Sequence, residues 1–389
     1  MAGYHFGGGC PDPGSFPLAG LAAAAERVLP LLREALCNYP ERQGYRPLRE
    51  VAAARFQRRE GVALDPDTFC LTNGSQQAIT LVCQALVRRG DPVLVEEFLY
   101  SGTLRALRHV GARVVGIPMD AEGMRMDALE AALHELTAAG SPPAFIYTTP
   151  TYQNPTGATL SVARRRRMLE LARTHRVPIV DDNCYGDLDF DRPAPPALKA
   201  LDEDDQVILF ESFSKIMGPG IRLGCFSCDA RRMDQILAHK IDGGTTVLAA
   251  AILAEYLREH LAGHLAEIRQ VGSRKRDAVC EALDRHLGDL CSWNRPTGGY
   301  FIWVRVPDAC DLSQLDALAA AAGINYGPGR AFHAGDQPVP YFRLSFAYPS
   351  LEEIEAGVAE MARCVRAALP RPGGTRARTA APASAPAGD

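Results

Sequence analysis

Between residues 69 and 228, short apolar runs alternate with amphipathic stretches, and this alternation limits the possible folds more than any other feature. Phe69–Thr72, Pro92–Glu96, Arg113–Ile117, Ala144–Thr148, Pro178–Val180 and Gln206–Phe210 read as strands. A seventh strand follows Arg222. Helices are expected at 75–87, 101–110, 127–139 (with Asp127 as its cap) and 161–174. Strands joined through helices pair in parallel, and both faces of such a sheet are covered. The expectation is an α/β domain holding a mostly parallel seven-stranded sheet between helices.

In such a sheet, ligands sit beyond the carboxyl ends of the strands, and four of those ends carry chemistry. Glu211-Ser212-Phe213-Ser214-Lys215 follows the sixth strand, with Arg222 seven residues beyond the lysine. A buried lysine has a lowered pKa and forms Schiff bases, whereas serine and arginine suit a phosphate. The stretch therefore fits an aldehyde cofactor that carries a phosphate, although alone it also fits a surface lysine after a strand. Ser75 and Gln76 open a helix whose free N–H groups suit the same phosphate, though Ser75 alone also reads as a plain cap. Asp182 ends the fifth strand, where a buried carboxylate needs a partner such as a protonated ring nitrogen or a core cation. Asn154 and Tyr185 could hydrogen-bond a ring oxygen, and Tyr100 could stack on the ring. Convergence of several strand ends is much stronger evidence than any one of these residues.

Composition excludes other classes. The net charge of −4 over 389 residues gives no electrostatic reason to expect nucleic acid or an anionic membrane as partner. No apolar run reaches membrane-spanning length, and the first residues lack a basic, then apolar, leader. Eleven scattered cysteines fit free thiols in a reducing compartment, so a cytoplasmic protein is expected. Cys225 and Cys228 form a CxxC within a strand, where residues three apart face opposite sides, so neither a disulfide nor a metal pair is favoured. Asp187, Asp189 and Asp191 mimic a calcium loop but lack its glycine and final glutamate. No metal site is expected. Arg164 to Arg167 wrap a helix and read as solvated.

Around this domain, residues 1–45 read as an N-terminal segment joining a small domain to the active site, with a helix at 18–37. The large domain takes 46–245. Beyond it the pattern changes to helices at 247–270 and 273–286, a strand within 297–304, a helix at 312–322, strand 341–346 and helix 350–368. Residues 246–369 are therefore expected to form a smaller α+β domain. Residues 370–389, with almost no core-forming side chains, read as a disordered tail.

Taken together, TNGSQQA at 72–78, PTYQNPTG at 150–157, DDNCYG at 181–186, SFSKIMGPGIRLG at 212–224 and RLSFAYPS at 343–350 resemble the fold-type I, aspartate-aminotransferase-like pyridoxal 5′-phosphate enzymes. The resemblance spans roughly 4–368. It is greatest to the class I/II branch containing 2-aminoadipate and kynurenine aminotransferases and the effector domains of MocR-type regulators. It implies that Lys215 holds pyridoxal phosphate as a Schiff base and then moves the Cα proton, while Asp182 pairs with the ring nitrogen. Ser75, Gln76, Ser212, Ser214 and Arg222 are implied to hold the phosphate. Arg343 would clamp the substrate α-carboxylate, with Asn154 and the backbone of Gly8 or Gly9 nearby. Tyr39 would reach the phosphate of a neighbouring subunit, which implies a homodimer with shared active sites. The implied reaction moves an amino group from an L-amino acid to a 2-oxo acid.

Three departures bear on the reaction. Only about six residues precede the glycine-rich segment, so the family's N-terminal lid helix is expected to be absent. Phe98 replaces proline in the loop before Tyr100, and Cys184 stands where alanine is frequent under the ring. These leave open a lyase, decarboxylase or oxidase acting on an amino-acid-derived intermediate, or a ligand sensor of the same fold.

Overall fold

The computed structural model describes residues 3–370, so the expected tail lies, beyond Pro370, outside the described residues. Seven strands form one sheet: β1 (Phe69–Thr72), β2 (Pro92–Glu96), β3 (Arg113–Ile117), β4 (Ile146–Thr148), β5 (Ile179–Asp182), β6 (Val207–Ser212) and β7 (Gly224–Ser227). Their spatial order is β1-β7-β6-β5-β4-β2-β3, with β7 antiparallel to both neighbours and the other pairs parallel.

The period of two along each strand sends alternate side chains into two helical layers. Val93, Val95, Val180, Ile208 and Phe210 pack in one layer with Ile79, Val82, Leu104 and Leu107. Leu94, Ile146, Ile179 and Val207 pack in the other with Leu129, Leu133, Met168 and Leu169. Adjacent Asp181 and Asp182 are split in the same way. Asp182 lines the central cavity, whereas Asp181 lies on the opposite face, where burial pushes its carboxyl up to about 7 against the pull of Arg165.

A second sheet of four antiparallel strands orders Ser292–Trp293, Phe301–Arg305, Tyr341–Ser345 and Gly327–Pro328. Tyr4–His5 pairs with Ile324–Asn325, which draws the N-terminal segment toward this sheet. The two helices expected at 247–270 and 273–286 are one continuous helix, Val247–Leu287. Gly272 does not break it. A side chain there would press on the Phe190 ring, so the glycine makes room for a packed aromatic at an intrinsic helix cost of about 1 kcal/mol. The first half of this helix packs with Val51, Phe56, Phe213 and Met217, and the second with Phe342, Leu344 and Val358.

Other expectations need correction. The helix expected over 18–37 runs only over Leu18–Val28, followed by a tighter turn at Leu29–Leu31 containing Pro30 and a single turn at Arg33–Leu36. Proline has no N–H to continue the ladder. Arg125, not Asp127, occupies the cap of helix Met126–Ala138, and Asp127 sits in its first turn. Of the four consecutive arginines, Arg165 is fully buried rather than solvated. It donates to the carbonyls of Leu160, Pro150 and Pro196 and to Thr151 Oγ1, anchoring the turn that leads to Asn154.

The raised carboxyl of Asp181 makes a pH prediction. Its native form binds the proton more tightly than the unfolded chain, so its contribution is full below about pH 4 and is lost as pH rises through about 7. Urea midpoints measured at pH 5 and 8 should therefore converge in Asp181→Asn relative to the parent. An unchanged difference between the two pH values would refute the assignment.

Candidate active site

The carboxyl ends of β4, β5 and β6, the start of helix Ser75–Leu86, the N-terminal glycines and the edge of the second sheet enclose a cavity of about 450 Å³. Lys215 lies in a single helical turn, Ser214–Met217, directly after β6. Its Nζ donates to the Gly9 carbonyl at 2.9 Å and stands 5.5 Å from the centroid of the Tyr185 ring. Burial lowers its pKa from the ordinary 10.5. Tyr300 Oη donates to the Lys215 carbonyl at 2.5 Å, fixing that turn.

Beside the lysine is a corner whose groups suit an anion. Gly74 rather than Ser75 occupies the helix cap, and no side chain closes that end. Ser75 is therefore the first helical residue, at a terminus where backbone N–H groups and the helix dipole favour an anion. Arg222 spans the same end, donating to the Asn73 carbonyl at 2.6 Å with its guanidinium lying over Gly74. Its backbone holds φ at +56°, a conformation costing a non-glycine residue about 1 kcal/mol or more. Ser212 and Ser214 complete the corner, the Ser214 N–H donating to Ser212 Oγ at 3.1 Å.

Opposite stands Asp182. Tyr147 Oη donates to its Oδ2 at 2.5 Å, while its Oδ1 is buried without a partner. Such an orphaned acceptor is costly unless a donor reaches it. The nearby Tyr100 precedes helix Ser101–Val110 and lines the cavity. A side chain at Gly102 would overlap both Tyr100 and Gln76, so the glycine keeps their positions open.

On the far wall, Arg343 is sandwiched between Phe301 and Phe332, with its guanidinium carbon 4.2 and 4.6 Å from the ring centroids. It donates to Asn154 Oδ1 at 2.6 Å and to the Gly7 carbonyl, while Nε is buried and unpaired. Desolvation pulls its pKa down to about 10. A desolvated guanidinium without a carboxylate partner is a ready receptor for one.

The cavity brings together Gly8, Gly9, Ser75, Gln76, Tyr100, Asn154, Asp182, Tyr185, Ser212, Ser214, Lys215, Arg222 and Arg343. Tyr39 does not join them. It is 93% exposed on the outer surface. Sequence reasoning missed Tyr147, which reads as one more apolar strand residue, and Phe332, which lies in an irregular turn. It also named Gly8 and Gly9 without Gly7, whose carbonyl is the one that touches Arg343.

These residues fit pyridoxal phosphate: a desolvated amine for the aldehyde, an uncapped helix end with serines and arginine for the phosphate, and an orphaned carboxylate oxygen for the ring N–H. The model of aminotransferase class I and II matches residues 12–360. An aromatic-amino-acid aminotransferase of Thermococcus litoralis is 33% identical over 92% of this chain and 87% of its own length. The solved kynurenine aminotransferase of Pyrococcus horikoshii superposes with a TM-score of 0.90 at 32% identity, covering 94% of this chain and 91% of that one. The α-aminoadipate aminotransferase of Thermus thermophilus, solved with N-(5′-phosphopyridoxyl)-L-leucine, gives 0.86 at 32% identity over 94% and 92% of the two chains. The chain belongs to the class I and II aminotransferase family and is a pyridoxal phosphate-dependent aminotransferase of fold type I.

Proposed function

We propose that this aminotransferase exchanges the amino group of an L-amino acid with a large uncharged side chain for the oxo group of a 2-oxo acid. The observation that carries this reading is Arg343, desolvated between two aromatic rings and held toward the cavity by Asn154 and Gly7. Pyridoxal phosphate, when bound, supplies an electrophilic aldehyde and a protonatable ring that draws electrons from the substrate Cα. Arg343 takes the α-carboxylate and thereby regains the charge partner that burial denies it. Lys215 supplies the amine that engages the cofactor and afterwards holds the Cα proton. Its lowered pKa keeps a larger neutral fraction than an ordinary lysine at the same pH. Asp182 Oδ1 would accept from the ring N–H. Ser75, Ser212, Ser214 and Arg222 would hold the phosphate, with Gln76 supporting that corner, and Tyr100 would cover the ring. Tyr185 and Asn154 would orient the ring oxygen.

Phe301, Phe332, Tyr326, Pro328 and Ala331 give the cavity an apolar wall, which supports a bulky side chain. Its basic lining residues, Lys215, Arg222 and Arg343, already have roles in this reading. The phosphopyridoxyl-leucine adduct solved with the Thermus relative and the aromatic amino acids named for the Thermococcus relative support that choice, whereas the α-aminoadipate in the Thermus relative's own name carries a side-chain carboxylate.

The working unit in this reading is a homodimer. Leu18, Leu31, Leu36, Tyr39 and Ile241 are large apolar side chains left at least half exposed on the N-terminal segment and the 241–244 turn. Tyr39 lies against Gly243. A second copy covering this face would present Tyr39 to the neighbouring phosphate corner. All eleven cysteines are free, which supports a reducing, cytoplasmic location.

Four measurements test these readings. Phenylalanine or leucine should convert the cofactor absorbance of the loaded enzyme to that of the aminated form at least about tenfold faster than aspartate. If no amino acid does so, the amino-exchange reading fails, and if aspartate leads, only the substrate class fails. Lys215→Ala should abolish covalent cofactor attachment, and Arg343→Lys should raise KM about 10- to 100-fold, the range expected for one charge-assisted hydrogen bond. Sedimentation should give about twice the 42.0 kDa chain mass. Leu31→Asp should shift it toward the monomer and loosen the cofactor, whereas a monomeric parent would exclude the dimer.

A further inference from the structure

We infer that Tyr147 is the positioning residue that fixes the carboxylate of Asp182 for the ring nitrogen of the cofactor. The inference rests on the role proposed above for Asp182.

A carboxylate is free to turn about its Cβ–Cγ bond, and its two oxygens offer about four acceptor sites. In this site the two oxygens are unequal. Oδ2 is taken by Tyr147 Oη at 2.5 Å, and Oδ1 is buried without any partner in the protein. The hydroxyl therefore stops the rotation and leaves one defined acceptor for the ring N–H. Tyr147 is suited to this task because it cannot move. It is wholly buried in β4, in register with Val95 of β2 and Val180 of β5, and its ring packs in the layer of Val93, Phe210 and Leu104. It does not line the cavity. From outside the cavity lining it would act on the cofactor through Asp182. Burial and the neighbouring carboxylate both push the phenol's ionisation well above its ordinary range, so the hydroxyl remains a donor at any working pH. A phenylalanine would fill the same core volume, so packing alone does not require the hydroxyl that meets Asp182.

The test is the affinity of the apoprotein for pyridoxal phosphate, read by equilibrium dialysis, with the apoprotein's Tm measured alongside. Tyr147→Phe keeps the ring and removes the hydroxyl. It should weaken cofactor binding about tenfold, the scale of one hydrogen bond to a charged group, with the Tm nearly unchanged. Tyr147→Leu, of different shape, should show the same loss if the Phe variant folds poorly. In an Asp182→Ala background the Tyr147→Phe change should cost less than about twofold, because the residue then has nothing to position. Cofactor binding within twofold of the parent in Tyr147→Phe would overturn the inference, as would an equal loss in the Asp182→Ala background. If Asp182→Ala itself leaves affinity unchanged, the role of Asp182 falls and the inference with it. If only Tyr147→Phe is without effect, the role of Asp182 stands.

Discussion

Parallel pairing is the constraint on which the rest of this molecule depends. Because β2, β4, β5 and β6 run the same way, their carboxyl ends reach one edge of the sheet, and the polar residues there meet across neighbouring strands. Glu96 ends β2 and accepts from Thr148 Oγ1 at 2.7 Å, the Thr149 N–H at 3.1 Å and Gln153 Nε2 at 3.0 Å. Burial nevertheless pushes its carboxyl up to about 7. Gln153 also donates to the Phe98 carbonyl at 2.6 Å. One carboxylate thus ties the loop that carries Tyr100 to the loop that carries Asn154. Phe98, at the position where the resembled family has proline, fills an aromatic cluster with Trp303 and Phe332. The substitution fastens that loop to the edge of the second sheet, next to the ring that covers Arg343.

Behind the lysine turn the chain buries charge in pairs. Arg55 donates to Asp187 and to the Ser212 carbonyl, and Arg59 reaches Glu211 at 2.6 Å. Asp187 is held down at about 2 by these two guanidinium groups, although burial opposes them. Removing one member of such a cluster leaves an uncompensated buried charge at a cost of about 3–5 kcal/mol. The cluster therefore stiffens the strand end that carries Ser212, two residues before the turn that presents Lys215. The aspartates at 187, 189 and 191 have a similar explanation. Each is paired with an arginine, through Arg55, Arg269 and Arg276 respectively.

The glycine-rich N-terminus shows how a segment without regular structure becomes part of a site. Gly9 places its carbonyl 2.9 Å from Lys215 Nζ, where a side chain would press on Phe301 and on the lysine itself. The approach is possible because Tyr4–His5 pairs with Ile324–Asn325, which aims the following glycines into the cavity. Composition shows that such a segment is not a helix, but not where its carbonyls point.

What the sequence by itself determined was the order of elements, the parallel sheet and the residues at its strand ends. Those follow from local signals: the hydrophobic period, glycine and proline punctuation, and the chemistry of lysine, aspartate and arginine at recognisable spacings. Only the tertiary structure decided which partners those residues have. The hydroxyl of Tyr147 against Asp182, the aromatic rings on both sides of Arg343, the burial of Arg165 and the unbroken helix through Gly272 each depend on a neighbour distant in the chain. A tyrosine in a strand looks like any other core residue until the strand beside it supplies a carboxylate. A glycine in a helix looks like an end until an aromatic ring from another segment fills the space beside it. Periodicity reports which face of an element is buried, and packing between distant segments determines what each buried group meets.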